Sequence, residues 1–220
     1  MWAAPYRVLA SLGDEFSGDT RFALCQMLAS YSATVIRGQA NEYHLTQKGI
    51  TDVENYHLAI RGKTSALFEL PVVGAALLAG FDLQRASALA SAFTELGMLF
   101  QMQDDVLDLF GDKGRGELGA DLKEGKISAL VVEHLHLFPK DTEMLMAVLN
   151  TSREETEDSD VMKVTTLFRE EGALGGVVNR IQESAAQSLD SEILAEVPQL
   201  KGVLKDLVSV ILEPIAHVMG

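Results

Sequence analysis

Four polar side chains in one short stretch are spaced to act together. Gln101, Asp104, Asp105 and Asp108 stand at i, i+3, i+4 and i+7 within Gln101-Met102-Gln103-Asp104-Asp105-Val106-Leu107-Asp108. That is the spacing of one stripe along an α-helix. Met98, Leu99, Phe100, Val106, Leu107, Leu109 and Phe110 surround them, so the carboxylates share one face of an otherwise apolar segment. No Lys or Arg occurs between Arg85 and Lys113 to balance them. Like charges three or four residues apart on a helix repel by about 0.2–0.5 kcal/mol per pair, and a cation in front of them removes that cost. Hard carboxylate oxygens suit Mg²⁺ or Ca²⁺. The plainer alternative is the solvated face of a surface helix. The missing bases, and Gln101 one turn upstream, favour a site.

Three other segments add chemistry. In Arg61-Gly62-Lys63-Thr64-Ser65-Ala66-Leu67-Phe68, a lysine beside a threonine offers a point charge and a hydroxyl to one anion, and a phosphate suits both. Gly38-Gln39 lies in Val35 to Glu42 on the long first helix, and a glutamine on an apolar helix ordinarily finds a backbone partner. The stretch Gly111 to Gly119 holds four glycines in nine residues; it reads as a mobile lid or phosphate clamp, or as a plain connection. After it comes Asp121-Leu122-Lys123-Glu124-Gly125-Lys126, from which Lys126 is expected to reach back over the carboxylates.

Helical periodicity dominates the elements that must hold these residues, and strand signals are nearly absent. The spacing predicts a short helix over 3–12 and a long one over 19–45, capped by Asp19 or Thr20. A helix capped by Thr51 should run from 52 towards Gly80, bent at Pro71. The motif helix should span 83–110 and stop at Gly111. Further helices are expected over 126–138, 142–149, from 161, over 174–189 and over 200–218, the last bent at Pro214. With no repeat or linker, residues 1–220 read as a single all-α domain.

The whole-chain numbers exclude other classes. A formal net charge of −14 argues against a nucleic-acid surface, which carries clustered Lys and Arg, and against attraction to anionic membranes. The longest apolar run, Pro71 to Phe81, is too short to span a bilayer. The single Cys25 excludes an intramolecular disulfide and reads as a buried core thiol. With no signal-peptide pattern, a cytoplasmic protein is the expectation. The five histidines show no ligand spacing on a shared helical face, and core or surface roles are expected for all.

In this order and spacing, the segments resemble the C-terminal two-thirds of the trans-isoprenyl diphosphate synthases. The resemblance rests on Phe100-Gln101 before Asp104-Asp105-x-x-Asp108, then Gly111-Asp112, then Gly119-x-Asp121-x-x-Glu124-Gly125-Lys126. It extends to Lys63-Thr64 and Gly38-Gln39. It implies an all-α bundle around a deep apolar cavity, here N-terminally incomplete. It also implies Mg²⁺-dependent condensation of an allylic diphosphate with isopentenyl diphosphate, and a homodimer. On this basis Asp104, Asp105 and Asp108 are expected to bind metal, with Asp105 in support. Lys63, Thr64, Gln101 and Lys126 would bind the leaving diphosphate, and Gln39 would lie near the developing cation, within the same substrate site. Lys63, Thr64, Gln101 and Asp104 would carry catalysis.

The chain also departs from the family pattern. No upstream Asp-rich motif with paired arginines is present; Asp14-Glu15 is the only acidic pair before the long helix. Glu117 stands where the family usually carries a lysine. Two alternatives follow: a non-catalytic diphosphate-binding subunit, or, less well supported, a terpene cyclase. Asn179-Arg180-Ile181-Gln182-Glu183 lacks the second metal-binding spacing of the cyclases.

Overall fold

The computed structural model describes residues 3–111 and 117–218. Among these residues every regular element is helical. The order is α1 (Ala3–Ala10), α2 (Gly18–Lys48), α3 (Val53–Ile60), a π turn (Arg61–Ser65), α4 (Ala66–Leu78), α5 (Leu83–Ser91) and α6 (Thr94–Phe110). Then come α7 (Ala120–Lys123), α8 (Ala129–Leu137), a 3₁₀ turn (Pro139–Asp141), α9 (Thr142–Leu149), α10 (Asp158–Glu170), α11 (Ala173–Leu189) and α12 (Pro198–Leu212). A 3₁₀ turn, Glu213–Ile215, follows α12 around Pro214.

Short polar side chains start α2, α3 and α5 by accepting from backbone N–H groups that have no partner inside the helix. Ser17 caps α2 through the Thr20 N–H at 3.0 Å, Asp52 caps α3 through the Asn55 N–H at 2.9 Å, and Asp82 caps α5 through the Arg85 N–H at 2.8 Å. Ser17 and Asp52 therefore do what Asp19 or Thr20, and Thr51, were expected to do. The expected helix over 83–110 is two helices with a turn at Ala92-Phe93, and α8 begins at Ala129 instead of 126.

The interruption expected at Pro71 comes earlier. Pro71 sits on an exposed side of α4, which continues through it, while the chain widens into the π turn just upstream. Two glycines make room for that turn. A Cβ on Gly38 of α2 would overlap the Lys63 backbone, and one on Gly97 of α6 would overlap Ser65. Ser65 Oγ donates to the Thr94 carbonyl at 2.8 Å and fixes the turn from below. Single π turns inside helices often sit at functional positions, and this one carries Lys63 and Thr64.

Helix α6 is the central strut. Its Leu96, Leu99, Met102 and Val106 join Leu130 of α8, Phe168 of α10, Ile181 of α11 and Leu204 of α12 in the larger apolar core. Each such side chain contributes about 1.5–3 kcal/mol by leaving water. A second core packs Leu24 and Leu28 of α2 against Val73 and Leu77 of α4 and Leu89 of α5. The apolar hollow is a groove of about 530 Å³ between α4, α5 and α12, lined by Leu67, Phe68, Pro71, Phe93, Leu200 and Leu207 among others. Cys25 is exposed, not buried, because it lies on the outward face of α2. Phe22, Ile36 and Tyr43 are also exposed there, at 71%, 56% and 65%. No described helix is long and apolar enough to cross a membrane.

Candidate active site

The motif stripe of α6 splits into an inner and an outer half. Asp105 turns inward and is 1% exposed. Its Oδ2 accepts from the Tyr56 hydroxyl at 2.7 Å and from the Ala129 N–H at 2.7 Å. Its Oδ1 accepts from Gln101 Nε2 at 3.2 Å and from Lys126 Nζ at 2.9 Å. Four donors saturate this carboxylate, which places it away from the expected role of metal ligand. It ties α3, α6 and the start of α8 to one point. Burial, then the Asp105 charge, holds the Tyr56 hydroxyl far above its ordinary range, so it remains a donor.

Asp104 and Asp108 lie on the outer half. Asp104 is exposed and, among the described residues, has one long contact, from Gln101 Nε2 at 3.4 Å. Asp108 is partly buried, and its two oxygens accept from the Asp121 N–H at 3.3 and 3.2 Å. Burial first, and the Asp121 carboxylate second, push Asp108 up to about 6. Burial also raises Asp121, against the pull of Lys126. Lys126 bridges the halves, with Nζ 2.9 Å from Asp105 and 2.5 Å from Asp121. Burial alone would lower this ammonium; the two carboxylates outweigh it and hold it above its ordinary range.

The second lobe is built from α2 and the π turn. Thr64 Oγ1 donates to Gln101 Oε1 at 2.8 Å, which links the π turn to the carboxylate stripe. Lys63 Nζ and Gln39 Nε2 do not touch that stripe. Both converge on Glu42 Oε2, at 2.5 and 2.9 Å. Of the expected site residues, Gln101, Thr64, Asp104, Asp105, Asp108 and Lys126 thus form one connected set. Lys63 and Gln39 form a neighbouring set around Glu42.

Glu42, Tyr56 and Asp121 were not singled out by spacing. Tyr56 stands seven residues before Lys63, two helical turns, and Asp121 lies in the segment already noted for Lys126. Those were the available signals. Residues 112–116 of the glycine stretch fall outside the described residues. At its far end, Glu117 accepts from Lys123 at 2.5 Å and from Arg153 at 3.2 Å. The hydrogen bond from Lys123 is the main reason its carboxyl lies below the usual range. A larger cleft of about 860 Å³, bordered by Arg37, Asn41, Arg61 and Glu95 among others, includes none of Asp104, Asp105 and Asp108.

An all-α scaffold thus presents two outward carboxylates and a raised Asp121 beside Lys126, with an apolar groove starting one turn after Thr64. The donor set is all oxygen, and burial, followed by the Asp121 carboxylate, makes the charged form of Asp108 costly in a way that a hard cation would relieve, so these residues fit Mg²⁺.

The sequence model of the Polyprenyl synthetase family matches residues 1–167, and the chain belongs to that family. Farnesyl pyrophosphate synthase 2 of Arabidopsis thaliana is 32% identical over 154 residues, covering 67% of this chain and 44% of that protein. Its counterpart in Lupinus albus is 32% identical over 178 residues, covering 76% of this chain and 50% of that protein. The chain therefore spans about half the length of these curated relatives. The crystal structure of geranylgeranyl pyrophosphate synthetase from Pyrococcus horikoshii Ot3 superposes with a TM-score of 0.79 at 25% identity, over 94% of this chain and 63% of that one. A Corynebacterium glutamicum geranylgeranyl pyrophosphate synthase, complexed with isoprenyl diphosphate and magnesium, superposes with a TM-score of 0.78 at 25% identity, over 90% of this chain and 57% of that one.

Proposed function

We propose that the chain contributes the diphosphate-ionising half of a Mg²⁺-dependent prenyltransferase, which joins an allylic diphosphate to isopentenyl diphosphate. The observation that carries this reading is the connected set Thr64–Gln101–Asp104–Asp105–Lys126–Asp121–Asp108, assembled from the π turn, α6 and α7–α8. Diphosphate leaves readily only when its charge is neutralised, and bound Mg²⁺ supplies most of that neutralisation. Asp104, Asp108 and Asp121 would hold the ion. Asp105 holds Lys126 and Gln101 in place, and Lys126 and Thr64 face the departing oxygens. Lys63 joins them when a diphosphate draws it from Glu42. The groove beginning at Leu67 and Phe68 takes the hydrocarbon tail and keeps water from the allylic cation.

The same reading carries a homodimer and a cytoplasmic location. The exposed stripe Phe22, Ile36 and Tyr43 on α2 supports the dimer, and an Ile36→Glu, Tyr43→Glu variant eluting as monomer would locate its interface there. A second reading, a subunit that binds diphosphate without turnover, is favoured by the ion pair that already engages Lys63 with Glu42. Mass-spectrometric product analysis with Mg²⁺, isopentenyl diphosphate and C5 to C20 allylic diphosphates separates the two. An elongated prenyl diphosphate supports the transferase. Mg²⁺-dependent binding without product supports the subunit.

A further inference from the structure

Helix α8 is polar at both ends, and only its N-terminal end belongs to the site above. Near the other end, His134 is fully buried, its ring against Phe138 at 5.2 Å and Phe168 at 5.4 Å between centroids. Its Nε2 points at two carboxylates: Asp141 Oδ2 at 3.1 Å and Glu171 Oε2 at 3.8 Å. All three candidate ligand atoms lie within 4.8 Å of one another. Sequence spacing did not reveal the group, because one member sits on α8, one on the 3₁₀ turn and one at the end of α10.

A hydrogen bond from imidazole to Asp141 accounts for one of these contacts. It leaves the Glu171 carboxylate against the same nitrogen, and neither acid has a Lys or Arg within 4.0 Å among the described residues. The neighbouring cations turn elsewhere. Lys140 lies over the Phe138 ring at 5.8 Å and Arg169 over Phe110 at 5.2 Å. Two ligands about 2.0–2.2 Å from one tetrahedral ion stand roughly 3.4 Å apart, and the two observed separations fall on either side of that value. Among the described residues His134 Nδ1 has no partner, so no hydrogen bond on that side fixes the tautomer, and with the ring proton on Nδ1 the Nε2 lone pair is available.

We propose that His134, Asp141 and Glu171 form a site for a divalent transition metal, with Zn²⁺ as the reference ion. One imidazole nitrogen with two carboxylates selects borderline ions such as Zn²⁺ over Mg²⁺, unlike the all-oxygen set on α6. Side-chain exposures of 22% for Asp141 and 36% for Glu171 leave an entry path and room for a water as fourth ligand. The ion would clip α8, the 3₁₀ turn and the end of α10 together. It would lie near one end of α8, while Ala129 at the other end anchors Asp105.

The test uses the chelator-stripped chain with Mg²⁺ in excess, titrated with Zn²⁺ by calorimetry and with Co²⁺ by visible absorption. One saturable Zn²⁺ per chain at micromolar concentration, and the intense Co²⁺ bands of a tetrahedral site, are expected. Asp141→Asn and Glu171→Gln should each weaken binding by at least the roughly 10- to 100-fold seen for outer partners of metal ligands, with far-UV circular dichroism unchanged. Asp104→Asn should bind Zn²⁺ like the parent. If Asp141→Asn unfolds, the more exposed Glu171→Gln carries the result. No saturable uptake, parental affinity in Glu171→Gln, or loss confined to Asp104→Asn would each overturn the site.

Discussion

Asp104, Asp105 and Asp108 come from one turn and a half of α6, whereas Lys63, Gln39 and Glu42 come from two helices that meet only in the folded chain. In the first region the stripe is local, but the fold decides which carboxylate faces out. In the second, Gln39 meets Glu42 locally on α2, but the fold decides the ion pair, because Gly38 must admit the π turn before Lys63 can reach Glu42. A shared helical face therefore marks a candidate site without assigning roles within it. Packing assigns the roles by giving one acid four donors and its neighbour, among the described residues, a single long one.

The largest effect should separate the two adjacent aspartates. Asp105→Ala strips Lys126 and Tyr56 of a buried partner and should cost about 3–5 kcal/mol in urea unfolding. Asp104→Asn should stay within about 0.5 kcal/mol of the parent while losing Mg²⁺-dependent diphosphate binding. Equal stability losses would erase the inner and outer distinction.

Next in size is the glycine contact that builds the basic region. Gly97→Val drives a side chain into Ser65 and should cost about 3 kcal/mol, the upper part of the overpacking range. A smaller loss for the same change at Gly18, where an added Cβ would meet nothing within 4 Å, is the control that shows the cost comes from the π turn.

Lys63→Ala should weaken diphosphate binding by about 1.5–3 kcal/mol, the worth of a charge-assisted hydrogen bond. A double-mutant cycle with Glu42→Gln should show coupling, since the two share one ion pair. Additive effects would mean that Lys63 meets the ligand independently of Glu42.

The smallest effect is a pH dependence. Burial raises Asp108 from 3.8 to about 6, so its ionisation costs the folded state more than the unfolded chain. Its contribution to stability is therefore greatest below about 4, falls as pH rises through about 6, and then levels, opposite to a carboxylate lowered by an ion pair. Mg²⁺ affinity should run the other way and weaken as pH drops below about 6, because protons compete for the same oxygens. Thermal melts and Mg²⁺ titrations of parent and Asp108→Asn from about pH 5 to 8 check both slopes. The variant should flatten each.

The fold class was legible because apolar residues recur at helical spacing from α2 to α12, and the caps lie within two residues of the expected starts of α2 and α3. Boundaries that depend on tertiary crowding were not legible. The break at Ala92-Phe93, the shift from Pro71 to the π turn, and the outward face of Cys25 all answer to neighbours distant in sequence. At the site, the stripe from Gln101 to Asp108 and the reach of Lys126 followed from spacing and from motif order. Tyr56 and Glu42 did not, since each works through a partner 49 or 21 residues away; Asp121 stood in the motif order, but its ion pair with Lys126 did not.

By itself the sequence determined the all-α class and the acidic stripe, because both depend on periods of a few residues within one helix. Only the tertiary structure decided that Asp105 is an internal anchor, that Lys63 rests on Glu42, and that His134 meets two acids from other elements. These outcomes depend on burial and on donors brought together through space, which spacing along the chain does not encode.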